Sequence, residues 1–340
     1  MSANDSSTPA GLIDLAAARI GGVALIANDE FFAEKENLLQ PGRGVFIPDK
    51  YTDHGKWMDG WETRRRRIPG HDWCVVQLGL RGILKQVDID TNHFLGNHPP
   101  FASLDALCLT NEFPQGPTAV ESLPWAQILA KSPLNPGSQN CFAISRDQPA
   151  THVRLNIIPD GGVARLRVYG LVVPDWSKLK PGELVDLAAV ENGGVPLACS
   201  DMFFSSMNNL IMPGRSADMG DGWETKRRRG PGHDWIILKL GLPGAIQKIE
   251  VDTNHFKGNY PNTCALEGCD APGASCADLT SPQTPWREIL PKTKLQADTR
   301  HFFERELSPL PHCTHLRLNI YPDGGVSRLR VWGTPVLPSE

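Results

Sequence analysis

Acidic, basic and imidazole side chains gather in two short blocks of this 340-residue sequence, and together they could run acid–base chemistry on a small anion. The first block reads Asp59-Gly60-Trp61-Glu62-Thr63, Arg64-Arg65-Arg66-Arg67, then Pro69-Gly70-His71-Asp72-Trp73. The second reads Asp221-Gly222-Trp223-Glu224-Thr225, Lys226-Arg227-Arg228-Arg229, then Pro231-Gly232-His233-Asp234-Trp235. Glu62 and Glu224 are candidate catalytic acids or bases. His71 and His233 follow Pro-Gly, which sets an imidazole, a group that exchanges protons near neutral pH, on a loop ahead of a Trp-led strand. They are the other catalytic candidates. If the basic run is extended, alternate side chains leave on opposite faces, so Arg64 and Arg66, like Lys226 and Arg228, share a face and could bind a carboxylate. Asp59 and Asp221 join them as candidate substrate-binding groups. A third block, Asp90-Thr91-Asn92-His93-Phe94 with Gly96-Asn97, returns as Asp252-Thr253-Asn254-His255-Phe256 with Gly258-Asn259. It offers Asn92, His93, Asn97, His255 and Asn259 as further polar partners.

Each of these groups also has a purely structural reading. The Arg run can pair with Asp and Glu, Asp-Gly can be only a turn, and His71-Asp72 or His233-Asp234 can simply end one. His152 and His315, at strand starts, read as structural. No His-x-His or His-x-x-x-His pair occurs within a copy, so a metal centre has no dedicated ligand spacing. The ligands of a metal stay unknown; no cofactor is required and a divalent metal is left open. The formal net charge of −4 and pI near 6.2 argue against nucleic acid or an anionic membrane as partner. Eight cysteines do not recur between the copies, Cys74 aligning with Ile236, which predicts reduced, structural thiols. The first ten residues lack a basic, then apolar signal pattern, no stretch is apolar for the ~18 residues a membrane span needs, and a cytoplasmic protein is expected.

These blocks sit in one domain written twice. The offset is 221 − 59 = 162 residues and holds through Asn97 and Asn259. It becomes 163 at Arg154-Leu155-Asn156-Ile157 and Arg317-Leu318-Asn319-Ile320. Upstream, Phe31-Phe32 and Phe203-Phe204 lie 172 apart, so the first copy carries 172 − 162 = 10 extra residues between Arg43 and Asp59, among them Asp49, Lys50, Asp53, His54 and Lys56. A period this long makes each repeat a domain. The expected boundaries are a disordered 1–10, a first repeat at 11–173, a linker at 174–182 and a second repeat at 183–335. Both copies keep the Glu, the basic run, the His and the Asn; the insertion favours the first as the fuller site, with a site shared between copies as the alternative.

The elements that must position these groups are mostly strands. Trp73–Leu78 and Trp235–Leu240 are apolar runs stopped by glycine-containing turns, and Lys85–Asp90 and Lys248–Asp252 alternate with period two. In Arg154–Ile157 and Arg165–Tyr169 the apolar residues can face a core while Arg and Asn face out. Short helices are expected at Asp14–Ala18 and Asp186–Ala189, capped by Asp, and at Pro124–Leu129 and Pro285–Leu290, opened by Pro. About eight strands per copy predict an all-β fold of two repeated jelly-roll β-sandwich domains.

The order Asp-Gly-Trp-Glu-Thr, basic run, Gly-His-Asp-Trp, apolar strand and Asp-Thr-Asn-His-Phe-x-Gly-Asn resembles the duplicated signature of the allantoicase family, over about Leu12 to Gly333. Each half also resembles galactose-binding-domain-like jelly rolls, more loosely. The first resemblance implies a homo-oligomeric hydrolase of purine (allantoin) degradation that cleaves a ureido C–N bond, turning allantoate and water into ureidoglycolate and urea. A tandem glycan-binding module and a hydrolase of another ureido acid are the alternatives.

Overall fold

The computed structural model describes residues 9–114, 116–180 and 182–337; the expected disordered stretch lies, up to residue 8, outside them. The chain divides into two compact units, residues 12–173 and residues 174 onward, with residues 9–11 grouped with the second. In the first unit six antiparallel strands lie in the order Ile13–Asp14, Arg165–Val172, Asp72–Asp90, Ala150–Ile158, Phe101–Leu107 and Ala126–Pro133. Val23–Ala27 and Gln139–Ala143 add to Asp72–Asp90, making eight strands. The second unit repeats this order with Val185–Asp186, Arg328–Pro335, Asp234–Asp252, Cys313–Tyr321, Thr263–Cys269 and Arg287–Lys294, and adds Val195–Cys199 and Arg300–Phe303.

One 19-residue strand, Asp72–Asp90, organises the first sandwich. Residues 72–77 pair with Ala150–Ile158 and Val23–Ala27, whereas residues 82–90 pair with Arg165–Val172 and Gln139–Ala143. It therefore passes the ladder from one layer to the other. The two strands expected here are one, because Gly79 and Gly82 do not turn the chain: they let it run against the backbone of Ile20 and Leu171, where a Cβ would come within 2.3 and 2.6 Å of carbonyl oxygens. Alternating side chains from the layers, among them Val76, Val87, Ile89, Leu104, Leu155 and Leu166, are fully buried, each contributing roughly 1.5–3 kcal/mol.

Four expectations about local structure are corrected. Asp14 caps no helix: its carboxylate accepts from Ala16 N (3.2 Å) and from Val168 N across the sheet (3.0 Å), and the only turn of helix nearby is Ala18–Ile20. Asp186 does the same with Ala188 N and Val331 N. Ala126–Pro133 and Arg287–Lys294 are strands, because pairing with Phe101–Leu107 and Thr263–Cys269 overrides their helical pattern; the short helices Pro117–Glu121 and Cys276–Thr280 precede them. Finally, Asn156, Arg165 and Arg167 do not face solvent. Each is buried and hydrogen-bonded, Arg167 to the carbonyls of Gln40 and Gly42 at 2.5 and 2.7 Å.

Candidate active site

Glu62 stands on a two-residue strand, Trp61–Glu62, antiparallel to Gly162–Val163. Trp61 is wholly buried and its indole donates to Asp29 O (2.8 Å), which anchors the strand. The Glu62 backbone is held on its other side by Phe32 N, Ala33 N and Ala33 O at 3.1–3.2 Å. With its main chain fixed, the side chain meets Asn97, whose amide donates to Oε1 at 2.7 Å. Phe94, three residues before Asn97, is fully buried against Gly162, where any Cβ would lie 2.0 Å from the ring. The second repeat builds the same pair: Asn259 donates to Glu224 at 2.6 Å, with Phe256 against Gly325. Burial pushes both glutamates above the ordinary carboxylate range, and the Asn hydrogen bond opposes it. In the second repeat the pair opens on a pocket of about 520 Å³ lined by Arg227, Tyr260, Asn262 and Asp323 among others.

The basic run is an irregular extended segment whose side chains still alternate. Arg64 and Arg66 bind Asp29 (2.7 Å) and Asp72 (2.8 Å); Lys226 and Arg228 bind Asp201 (3.2 Å) and Asp234 (2.5 Å). The face expected to bind substrate is thus engaged in ion pairs, and Arg227, on the other face, reaches the pocket beside Glu224. Asp59 accepts from buried Arg165 (2.7 Å) and Val45 N (2.8 Å), and Asp221 from Arg328 (2.8 Å) and Ala217 N (3.1 Å). Asn92 donates to Gly44 O at 2.7 Å. His93 and His255 hold left-handed backbone, φ 67° and 69°; His93 packs near Phe46, and the His255 ring lies 3.0 Å from Ser216 O. Asp59, Asn92 and His93, with Asp221 and His255 in the second repeat, thus contact the loop that precedes the Glu strand.

His71 belongs to a different place. It lines a cleft of about 250 Å³ with Asn28, Arg66, Trp73, Glu121 and Arg154. The counterpart His233 is braced: its Nε2 lies 3.1 Å from Asn319 Oδ1 and its ring 4.6 Å from that of Tyr321. No hydrogen bond joins either imidazole to its repeat's Glu among the described residues. Arg227, Tyr260, Asn262 and Asp323 escaped the sequence reading; the alternation that singled out Arg228 points equally to its neighbour once the opposite face is considered. Among the described residues no group of three or more His, Cys, Asp and Glu side chains is disposed around a common metal position.

The sequence profile described as the allantoicase repeat matches residues 13–173 and 185–336. The chain belongs to the allantoicase family. It is 51% identical over 326 residues to the "Probable allantoicase" of Pseudomonas aeruginosa (strain UCBPP-PA14), covering 96% of this chain and 97% of that one. It is 50% identical over 323 residues to the "Probable allantoicase 1" of Burkholderia mallei, covering 95% and 94%. Among solved structures, one titled "Structure of allantoicase" superposes with TM-score 0.81 at 38% identity, over 95% of this chain and 93% of that one. The allantoicase of Saccharomyces cerevisiae gives 0.79 at 37%, over 97% and 94%. The allantoicase repeat is thus the two-layered unit described above, present twice, each copy carrying its own Glu–Asn pair.

Proposed function

We propose that this chain hydrolyses allantoate to ureidoglycolate and urea, with a Glu–Asn pair at its reacting centre. The observation that carries the reading is the twice-built pair, Asn97 to Glu62 at 2.7 Å and Asn259 to Glu224 at 2.6 Å, the second beside Arg227, which has no carboxylate partner among the described residues. In the second repeat Arg227 is placed for a ureido acid's carboxylate, with Asn262 and backbone groups for its ureido group, and Arg65 stands at the matching position of the first. Burial favours the protonated form of the glutamic acid, and that form gives its proton to the ureido nitrogen as the Cα–N bond breaks. Water oxygen bonds to Cα and its proton passes to a base in the site. The other named candidates position the loops: Asp59, Asp221, Asn92, His93 and His255 hold the segments before the Glu strands, Arg64, Lys226 and Arg228 stand in ion pairs, Arg66 lies with His71 in a neighbouring cleft, and His233 is braced by Asn319 and Tyr321.

The reading extends to a cytoplasmic homo-oligomer with the repeats 11–173 and 183–335 as its domains. Supporting it are the split into two compact units, the absence among the described residues of a helix long and apolar enough to cross a membrane, and an exposed apolar run at Val45, Phe46 and Ile47. The test is urea and ureidoglycolate release from allantoate, with and without a chelator to score metal dependence. Loss of at least ~100-fold in a Glu62→Gln, Glu224→Gln double variant is expected; full activity in that variant sinks the site assignment.

A further inference from the structure

Each repeat presents its Glu–Asn pair on the same backbone. Gly162 N donates to Asn97 O at 2.8 Å and Gly325 N to Asn259 O at 2.9 Å. The chain just beyond is pressed against Gly161 (φ 139°) and Gly324 (φ 135°): a Cβ there would lie 2.7 Å from Asn97 O and Pro99 N in the first repeat, and 2.6 and 2.8 Å from Asn259 O and Pro261 N in the second. The residue after the Asn therefore leaves the backbone at the same point in both. In the second repeat that residue is Tyr260, and it lines the pocket with Glu224 and Asn259. In the first it is His98, at 260 − 162 = 98. Its Nδ1 is buried and has no hydrogen-bond partner among the described residues. Two positions on, Pro100 stands where the second repeat has Asn262.

We propose that the two sites do different work: the Glu62–Asn97–His98 site cleaves the substrate, and the Glu224–Asn259–Tyr260 pocket is a separate binding site that holds a small ureido carboxylic acid without cleaving it. The proposal rests on the hydrolytic reading above and divides it between the repeats. An imidazole accepts a proton near neutral pH, whereas a phenol keeps its own. In the first repeat Glu62 gives its proton to the leaving ureido nitrogen while His98 takes one from the attacking water. Urea leaves, the new C–O bond makes ureidoglycolate, and proton exchange with solvent resets both groups. Arg227 and Asp323, the charged residues that line the second pocket with Glu224 and Tyr260, correspond in the first repeat to Arg65 and Asp160. The second pocket has the acid without the base. It keeps what recognition needs: Arg227 for a carboxylate, and the Tyr260 hydroxyl and Asn262 amide for a planar ureido group.

The experiment uses the full chain and two readouts, steady-state urea release from allantoate and calorimetric binding of N-carbamoylglycine, a ureido carboxylic acid. Glu62→Gln and His98→Gln should each lower kcat by about 100-fold or more with KM within threefold. Wild type should bind two molecules of N-carbamoylglycine per chain and Arg227→Ala one. Adding Tyr260→His to the Glu62→Gln variant should recover activity at least tenfold, a gain that misfolding cannot produce. Near-equal halving of kcat by Glu62→Gln and Glu224→Gln, or a normal kcat in His98→Gln, overturns the division while leaving the hydrolytic reading standing. No urea from wild type overturns that reading itself.

Discussion

The two repeats meet the same burial problem in opposite ways at one matched position. Asp88 lies opposite Arg167 and Cys141, and Glu250 opposite Arg330 and Phe302. In the first repeat Gln139 donates to Asp88 Oδ2 (2.8 Å) and leaves Oδ1 buried without a hydrogen-bond partner among the described residues; in the second Arg300 grips Glu250 through Nε at 2.5 Å and Nη2 at 3.0 Å. Burial pushes Asp88 up to about 6. The same sheet thus accommodates a buried acid either by favouring its proton or by supplying a cation. Scaffold charges are free to diverge between copies, whereas the Glu–Asn pair is built twice in the same geometry.

Perturbing matched positions separately breaks or sharpens that comparison. The largest effect is expected at the ion pairs behind the Glu strands. Asp59→Ala strands the buried Arg165 guanidinium and should cost about 3 kcal/mol or more of unfolding free energy. Asp221→Ala should cost less, because the Asp221 side chain is 26% exposed against 11% for Asp59 and water already serves it. Equal costs in chemical denaturation would erase that distinction.

Next comes Asp88 with Glu250. A carboxyl whose pKa is raised on folding contributes stability in full below its unfolded value of 3.8, and that contribution disappears as pH rises through about 6. Asp88→Asn should therefore change little at pH 4 and stabilise the protein by roughly 2 kcal/mol at pH 8. Glu250→Gln should have the opposite sign at pH 8, losing about 1 kcal/mol with the half-exposed Arg300 partner. Matching signs in urea-melting curves at the two pH values would refute the contrast. The smallest effect concerns the imidazoles. Asn156 Oδ1 is buried and without a hydrogen-bond partner among the described residues where Asn319 Oδ1 meets His233, and Ile158 replaces Tyr321, whose ring packs at a tilt on His233. Ile158→Tyr should draw His71 onto Asn156 and add roughly 0.5–1 kcal/mol, seen as a raised Tm and a shifted His71 ring resonance.

Much of this arrangement was readable from residues alone, and the misreadings have common causes. Repetition exposed the two units, and period-two alternation exposed the strands, because both are local regularities. Glu62 and Asn97 were each visible as polar loop residues, but their pairing spans 35 residues and depends on Gly162 holding the Asn97 loop, which no spacing rule encodes. Arg66 was assigned to substrate for want of a view of Asp72 folding back upon it, and Arg64 for want of Asp29, 35 residues upstream. The Pro-Trp segments failed as helices because sheet pairing, a long-range effect, outweighed the helix start that Pro signals.

The first strand of the first repeat has a consequence for how the protein is made. Ile13–Asp14 pairs with Gly170 and Tyr169, and Asp14 accepts from Val168, 154 residues away. On a ribosome adding ~5–20 residues per second, this edge of the sheet waits uncovered for on the order of ten seconds after Asp14 has emerged. The repeat closes only when its own last strand arrives, so translation delivers a finished first unit before the long strand of the second is synthesised. The near-identical blocks are thereby kept apart in time, which protects a duplicated β chain from trading strands between its halves.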